Sequence, residues 1–170
     1  MNDPLRMPMI VPSLLACTVA LAFAASTASA MENDIHIIAQ VNAGTAGVEP
    51  GLALEWRGMD RQSLIIRPEV FLNEDEDIGG GVAILFDVSD RIGIPQRHAF
   101  AVGPRVVHHN SDEYSWEADA MATWSFDLVG GNRAWQHSVG VLAAVGLIHD
   151  KEDDDNDLGA SAGLFYSYGF

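Results

Sequence analysis

The chain has 170 residues, which is enough for one domain, and it combines a formal net charge of -15 with a hydrophobic content of 48%. The strong negative charge argues against nucleic acid as a partner, and the high hydrophobic content excludes a disordered chain. Cys17 is the only cysteine, so the chain has no disulfide framework.

The first 30 residues have the pattern of an export signal. Arg6 lies in a short head, residues 10–25 are almost wholly apolar, and Ala28, Ser29 and Ala30 supply a small-residue cleavage pattern. A membrane-anchor helix is the alternative, but the apolar run is short for a membrane span and ends in small residues. We therefore predict a cleaved signal peptide over residues 1–30 and a mature domain over residues 31–170.

Apolar and polar residues alternate with a period of two through most of the mature chain, which is typical of strands with two different faces. Eight such segments follow one another, at residues 35–43, 48–57, 64–73, 82–88, 97–106, 114–128, 135–147 and 158–170. Pro68 and Pro104 lie inside two of them and cannot donate to a ladder, so we expect a bulge or local irregularity at each. The pattern predicts an all-β fold.

Three features favour a transmembrane barrel over a soluble sandwich or a lipocalin-like barrel. The more polar face consists largely of Gly, Ala, Ser and Thr with a few charges, which suits a narrow lumen. Several segments are long enough to cross a bilayer at a tilt. Aromatic residues collect near segment ends, as interfacial girdles require. The sequence therefore predicts an eight-stranded antiparallel up-and-down transmembrane β-barrel.

The connections between the segments alternate in character. Compact segments that contain both glycine and arginine occupy residues 58–61, 89–93 and 130–133, whereas acidic and mostly longer segments occupy residues 73–77, 108–113 and 149–157. Outer-membrane barrels have short periplasmic turns and longer external loops. We therefore expect the acidic set on the outside, where residues 43–47 form an external loop that is neither long nor acidic.

The last segment carries a recognisable pattern. Leu164, Tyr166, Tyr168 and the terminal Phe170 alternate in a way that resembles the C-terminal signature of bacterial outer-membrane barrels. With the export signal, this resembles the small eight-stranded class of OmpX-like proteins and the OmpA transmembrane domain; residues 79–109 are also similar to the YfaZ family. The resemblance implies localisation in the outer membrane and recognition of these four residues by the barrel-assembly machinery.

Charged residues fall on the face that we expect to line the lumen. The predicted lumen charge cluster consists of Arg67, Glu69, Arg105, Glu117 and Asp119. Counting outward from the compact turns and the external loop gives three predicted pairs: Arg105 with Glu117, Asp87 with Arg97, and His36 with Glu55. A register shifted by two would instead bring Arg105 opposite Ser115 or Asp119. Eight strands enclose a space that side chains fill, so we predict a packed polar lumen, with a gate or proton path as the alternative.

No catalytic, cofactor or metal site is predicted, and we expect a non-enzymatic barrel with a structural or interaction role. One alternative is a lipid A-modifying hydrolase, because His109 and Ser111 resemble the His-x-Ser arrangement of lipid A 3-O-deacylases. Asp112 departs from that family's Asn, and two further strands follow. Another alternative is a small-solute channel. The expected partners of this monomer are outer-membrane lipids and lipopolysaccharide, contacted through divalent cations at the acidic loops.

Overall fold

Each strand of the chain pairs with its neighbour in sequence, and the last strand returns to pair with the first, which closes a barrel. The computed structural model describes residues 35–57, 64–72, 77–110, 113–130 and 135–170, so the predicted signal peptide lies outside the described residues. The elements are β1(Ile35–Gly44), β2(Gly47–Arg57), β3(Leu64–Leu72), β4(Ile78–Asp87), α1(Ser89–Ile92), β5(His98–His108), β6(Tyr114–Asp127), β7(His137–Asp150) and β8(Asp155–Gly169). The predicted all-β, eight-stranded antiparallel up-and-down barrel is confirmed. Within the described ranges, no helix is long and apolar enough to cross a membrane.

The two ends of the barrel differ in what connects the strands. The first strand begins and the last strand finishes at the same end of the barrel, where the Phe170 N–H donates to the Ile35 carbonyl over 3.1 Å. We call this the terminal end; it also carries the connections β2–β3, β4–β5 and β6–β7. The opposite end, the loop end, carries the other four connections. The acidic connections predicted at residues 73–77, 108–113 and 149–157 therefore all lie at the loop end.

The last acidic connection is shorter than the sequence indicates. β7 and β8 remain paired as far as Asp150 and Asp155, which leaves only residues 151–154 in the turn. The Asp150 carboxylate closes this turn by accepting the Glu152 N–H over 2.7 Å. A continued ladder satisfies the backbone N–H and C=O groups of these acidic residues, which explains why a polar stretch extends the strands.

The strand register fixes the tilt of the strands. A path through paired residues starts at Ile38 and passes through Ala53, Glu69, Gly81, Val107, Glu117, Ile148 and Asp157. On β8, Asp157 lies four residues closer to the loop end than Ser161, which pairs with Gly44 of β1. Because the two strands are antiparallel, the path returns to β1 at a level four residues past Gly44, which is position 48 and ten residues from its start at Ile38. A stagger of this size over eight strands corresponds to a tilt of roughly 40°.

Both prolines interrupt a ladder without shifting its register. Beside Pro68, Ala53 of β2 pairs with Glu69 of β3 and the next pair is Trp56 with Ile66, so two residues on each strand are left unpaired. Beside Pro104, the pairing of β4 with β5 makes the same two-residue skip. The expected irregularity is present, because proline has no N–H to donate. The register shifts instead in β6, between Tyr114 and Trp116.

The two faces of the barrel wall carry different side chains, as the period-two pattern predicts. Large apolar side chains are exposed on the outer face of every strand; they include Ile37, Leu52, Val70, Ile84, Val106, Trp124, Val141 and Leu164. The inner face carries the charged residues. It also carries a buried apolar cluster that includes Ile38, Leu85, Met121, Leu142 and Phe165, so the lumen is less polar than the sequence indicates.

Candidate functional site

A continuous series of polar contacts runs through the lumen, and we call it the lumen polar chain. It begins near the terminal end, where Arg57 Nη2 lies 2.7 Å from Glu55 Oε1. The other Glu55 oxygen lies 3.9 Å from Arg67 Nη1. Arg67 Nη2 donates to the Gln40 side-chain carbonyl, while its Nε and Nη1 have no hydrogen-bond partner among the described residues. Arg67 is thus fully buried and only partly paired.

Arg105 holds the middle of the lumen polar chain. Gln40 Nε2 donates to Glu69 Oε2 over 2.8 Å, and Arg105 Nη1 donates to Glu69 Oε1 over 3.2 Å. The same guanidinium donates to Asp119 Oδ2 from Nε over 2.9 Å and from Nη2 over 2.6 Å. Its Nη2 also lies 3.3 Å from Glu117 Oε1. Three carboxylates therefore share one buried guanidinium, an arrangement that joins β3, β5 and β6.

His109 ends the lumen polar chain at the loop end. It follows β5 directly, and its side chain turns inward until only 2% of it is exposed. Its Nδ1 lies 3.3 Å from Glu49 Oε1 and its Nε2 lies 3.4 Å from Glu117 Oε2. Burial lowers the pKa of His109, but the two carboxylates outweigh burial and raise this pKa to about 9. The imidazole is therefore protonated at neutral pH and interacts with both carboxylates.

The structure brings the predicted lumen charges together but corrects one pair. Arg105 pairs across the β5–β6 ladder with Asp119, not with Glu117. The connection closes at its base with a bond from the His109 N–H to the Ser115 carbonyl over 3.0 Å, which sets the register two residues away from the predicted one. A shift of two keeps every side chain on its face, so Glu117 still reaches Arg105.

A second predicted pair is wrong. Asp87 is opposite Ala101 in the β4–β5 ladder, and Arg97 lies outside this ladder, one residue before β5 begins. Arg97 instead donates to the Asp127 backbone carbonyl over 2.6 Å and lies over the Phe126 ring. The connection between β4 and β5 contains α1, and a chain that enters a helical turn does not continue the ladder.

Several members of the lumen polar chain were not in the predicted cluster. Gln40 links Arg67 to Glu69, and Glu49 pairs with His109. The alternation of β1 and β2 places both Gln40 and Glu49 on the inner face, and this signal was sufficient to find them. The predicted pairing of His36 with Glu55 is confirmed by the β1–β2 register.

Apolar side chains fill the middle of the lumen around Arg67. The guanidinium carbon of Arg67 lies 5.1 Å from the centroid of the Phe165 ring. Ile38, Leu85 and Leu142, each at most 2% exposed, belong to the same layer. A charge in such a layer is costly unless it is paired. The arrangement can therefore lock strands in register and separate one half of the lumen from the other.

The C-terminal residues lie on the outside of the terminal end. Leu164, Tyr166 and Phe170 are exposed, and the rings of Tyr168 and Phe170 are 5.4 Å apart. His137 Nδ1 lies 2.5 Å from the Tyr166 hydroxyl oxygen. These residues form an apolar patch with polar tips, and their role in barrel assembly stays a prediction.

The His-x-Ser arrangement of the hydrolase alternative lies only partly within the described residues. His109 faces into the lumen, away from the outer wall of the barrel, and Ser111 lies outside the described residues. Among the residues that the structure describes, no three His, Cys, Asp or Glu side chains form a group that could hold a metal ion.

Comparisons with protein-family models, with curated proteins and with solved structures give no match to this chain. The function of the protein is therefore inferred from the geometry described above.

Proposed function

We propose that this protein is a non-enzymatic outer-membrane β-barrel with a closed lumen and a structural or interaction role at the bacterial cell surface. One observation carries the proposal: apolar side chains cover the outside of the barrel, and the charges lie inside it. A soluble barrel has the opposite distribution, because water stabilises charges outside and apolar groups inside. Contiguous exposed apolar surface on this scale indicates contact with another apolar phase.

The dimensions of the barrel agree with a bilayer. β1 and β4 each have 10 residues, and at a tilt of roughly 40° a strand of this length rises about 25 Å along the barrel axis. The apolar band of outer-membrane barrels has about this height. β6, β7 and β8 have 14, 14 and 15 residues, so they extend further than the band requires.

The two ends of the barrel support an orientation. Trp124, Phe126, Tyr166, Tyr168 and Phe170 lie near the terminal end, where they supply the aromatic girdle that membrane interfaces favour. The loop end is acidic, with four aspartates between residues 153 and 157. We infer that the loop end faces the cell exterior, where divalent cations bridge its carboxylates to lipopolysaccharide phosphates.

The contents of the lumen favour a closed barrel over a small-solute channel. Ion conduction requires a continuous aqueous path, whereas Ile38, Leu85 and Phe165 form an apolar layer in the middle of the lumen. On its loop-end side, Arg105 is bonded to carboxylates from two other strands. Opening a path would expose both the apolar layer and the ion pairs, so we expect no stable conducting state.

The state of His109 disfavours the hydrolase alternative. A general base must be unprotonated, whereas a pKa of about 9 leaves His109 protonated at neutral pH. The acyl chains of lipid A would lie against the outer wall, and His109 lies on the other side of that wall. Mass spectrometry of lipid A from cells with and without the protein tests this inference, and a changed acyl pattern would contradict it.

Cell fractionation and gel migration test the proposal as a whole. We expect the folded protein in the outer-membrane fraction, and we expect its gel mobility to change on boiling because a closed barrel resists detergent unfolding. Reconstituted in planar bilayers, it should show no steady single-channel steps. Recovery in the soluble periplasm with unchanged mobility would exclude the membrane barrel, and large steady steps would exclude the closed lumen.

A further inference from the structure

The half of the lumen near the loop end contains polar atoms on the adjacent strands β1 and β8 that have no hydrogen-bond partner among the described residues. Asn42 on β1 is only 1% exposed, yet neither its Oδ1 nor its Nδ2 has a hydrogen-bond partner among the described residues. The same is true of Ser161 Oγ on β8; beside them, Glu49 Oε1 on β2 lies 3.3 Å from His109 Nδ1. Buried polar atoms are almost always paired, so we expect a bound ion or water beside Asn42 and Ser161.

The register places these residues side by side on the inner face. Asn42 is opposite Glu49 in the β1–β2 ladder and opposite Gly163 in the β1–β8 ladder. Ser161 lies two residues from Gly163 on the same face of β8, beside Ala144 of β7. A Cβ atom at Gly163 would overlap Asn42 Oδ1. The absence of a side chain at Gly163 therefore leaves the space that the Asn42 amide occupies.

Acidic side chains outnumber basic ones in this half of the lumen. Four carboxyl groups, those of Glu49, Glu69, Glu117 and Asp119, lie with the Arg105 guanidinium and the His109 imidazole. Buried carboxylates are unfavourable without cationic partners, so a cation bound here would be stabilised.

We propose that the lumen binds one hard metal cation through Asn42 Oδ1, the Glu49 carboxylate and Ser161 Oγ. Such cations prefer carboxylate, amide and hydroxyl oxygens. A carboxylate has about four lone-pair directions, so Glu49 can bridge the cation and His109. This mixed and irregular set of donors favours Ca²⁺, which tolerates irregular coordination better than Mg²⁺. This site goes beyond the proposed function and does not depend on membrane insertion.

The experiment measures how cations change the heat resistance of the purified protein in detergent. After treatment with a chelator and its removal, we expect CaCl₂ to raise the temperature at which the folded gel band disappears. At a concentration about 100-fold above the dissociation constant, the expected rise is roughly 5–10 °C. Choline chloride at equal ionic strength serves as the control, since choline is an organic cation that these oxygens cannot coordinate as a metal ion, and NaCl tests whether Na⁺ can replace Ca²⁺.

Substitutions separate the lumen site from the acidic loops, which also attract Ca²⁺. Asn42→Leu removes an amide that has no hydrogen bond to lose, so the barrel should still fold. This variant should lose the Ca²⁺-dependent rise and, by elemental analysis, should hold one equivalent of calcium fewer than the wild type. Ser138→Ala removes a buried lumen serine near the terminal end and should keep both.

Each outcome decides the proposal. A rise in heat resistance that Asn42→Leu abolishes supports the site, whether Ca²⁺ or Na⁺ produces it. An equal Ca²⁺ effect in the wild type and in Asn42→Leu would assign the effect to the acidic loops and overturn the proposal. No effect of any metal cation would also overturn it, because the polar atoms would then be satisfied by water alone. None of these outcomes depends on whether the barrel resides in a membrane.

Discussion

Replacing Arg105 by methionine should be among the most destabilising single changes in the lumen. Arg105 and Asp119 have side chains that are 2% and 0% exposed, so solvent does not screen their interaction. Arg105→Met leaves the carboxylates of Glu69, Glu117 and Asp119 buried without their shared cation, and removing one partner of a buried pair costs about 3–5 kcal/mol. Asp119→Asn leaves Arg105 with two carboxylates and should cost less, about 1–3 kcal/mol.

A pair of double-mutant cycles measures which carboxylate is the main partner of Arg105. Two short contacts join Arg105 to Asp119, at 2.9 and 2.6 Å, whereas one contact of 3.3 Å joins it to Glu117. We expect a coupling free energy of about 1–3 kcal/mol between Arg105→Met and Asp119→Asn. The matched cycle with Glu117→Gln should give a smaller value.

Urea unfolding in detergent micelles, followed by tryptophan fluorescence, supplies the free energies of unfolding for both cycles. The chain contains four tryptophans, and Trp124 reports on the outer wall of β6. If the effects of Arg105→Met and Asp119→Asn simply add, or if Glu117→Gln couples more strongly than Asp119→Asn, the register and contacts described here are wrong.

Three further outcomes are expected. Folding raises the pKa of His109 from 6.5 to about 9, so protonated His109 contributes its full free energy of folding below pH 6.5 and loses this contribution as the pH rises through about 9. The urea midpoints of unfolding at pH 6 and pH 9.5 should therefore differ less in His109→Gln than in the wild type. Gly103→Val should prevent folding, as judged by gel mobility, because a Cβ there overlaps the Ile84 carbonyl, whereas Gly80→Val, with more room, should fold. Removing Phe170 should lower the folded amount in outer membranes and leave protein in the periplasm; unchanged levels would refute its assembly role.

The period of two in the sequence was sufficient to predict the faces of the barrel wall. In β1, for example, it places His36 and Gln40 inside and Ile37 outside, as the structure does. This succeeds because side-chain direction in a strand is a local property of the backbone. The number and direction of the strands follow from the same pattern, together with the turns between the segments.

The contacts within the lumen are harder to predict, because they depend on register and on packing between distant strands. The register of β5 and β6 is set where His109 turns inward, and no local pattern indicates that turn. The same argument applies to the apolar layer around Arg67: Phe165 and Leu142 come from strands far away in sequence. The sequence therefore indicates which residues enter the lumen, whereas only the structure shows which of them are in contact.

The outer wall of the barrel offers the most direct test of the central claim that lipid surrounds it. Since Cys17 is the only cysteine, a Cys17→Ser background permits a single spin label at Val141→Cys, an outward position of β7 that is 49% exposed, or at Asp153→Cys in the loop-end turn. In reconstituted vesicles, the account predicts that oxygen relaxes the label at position 141 more than a water-soluble nickel complex does, with the reverse at position 153. Equal access of the nickel complex to both positions would contradict the account, because the outer wall would then face water.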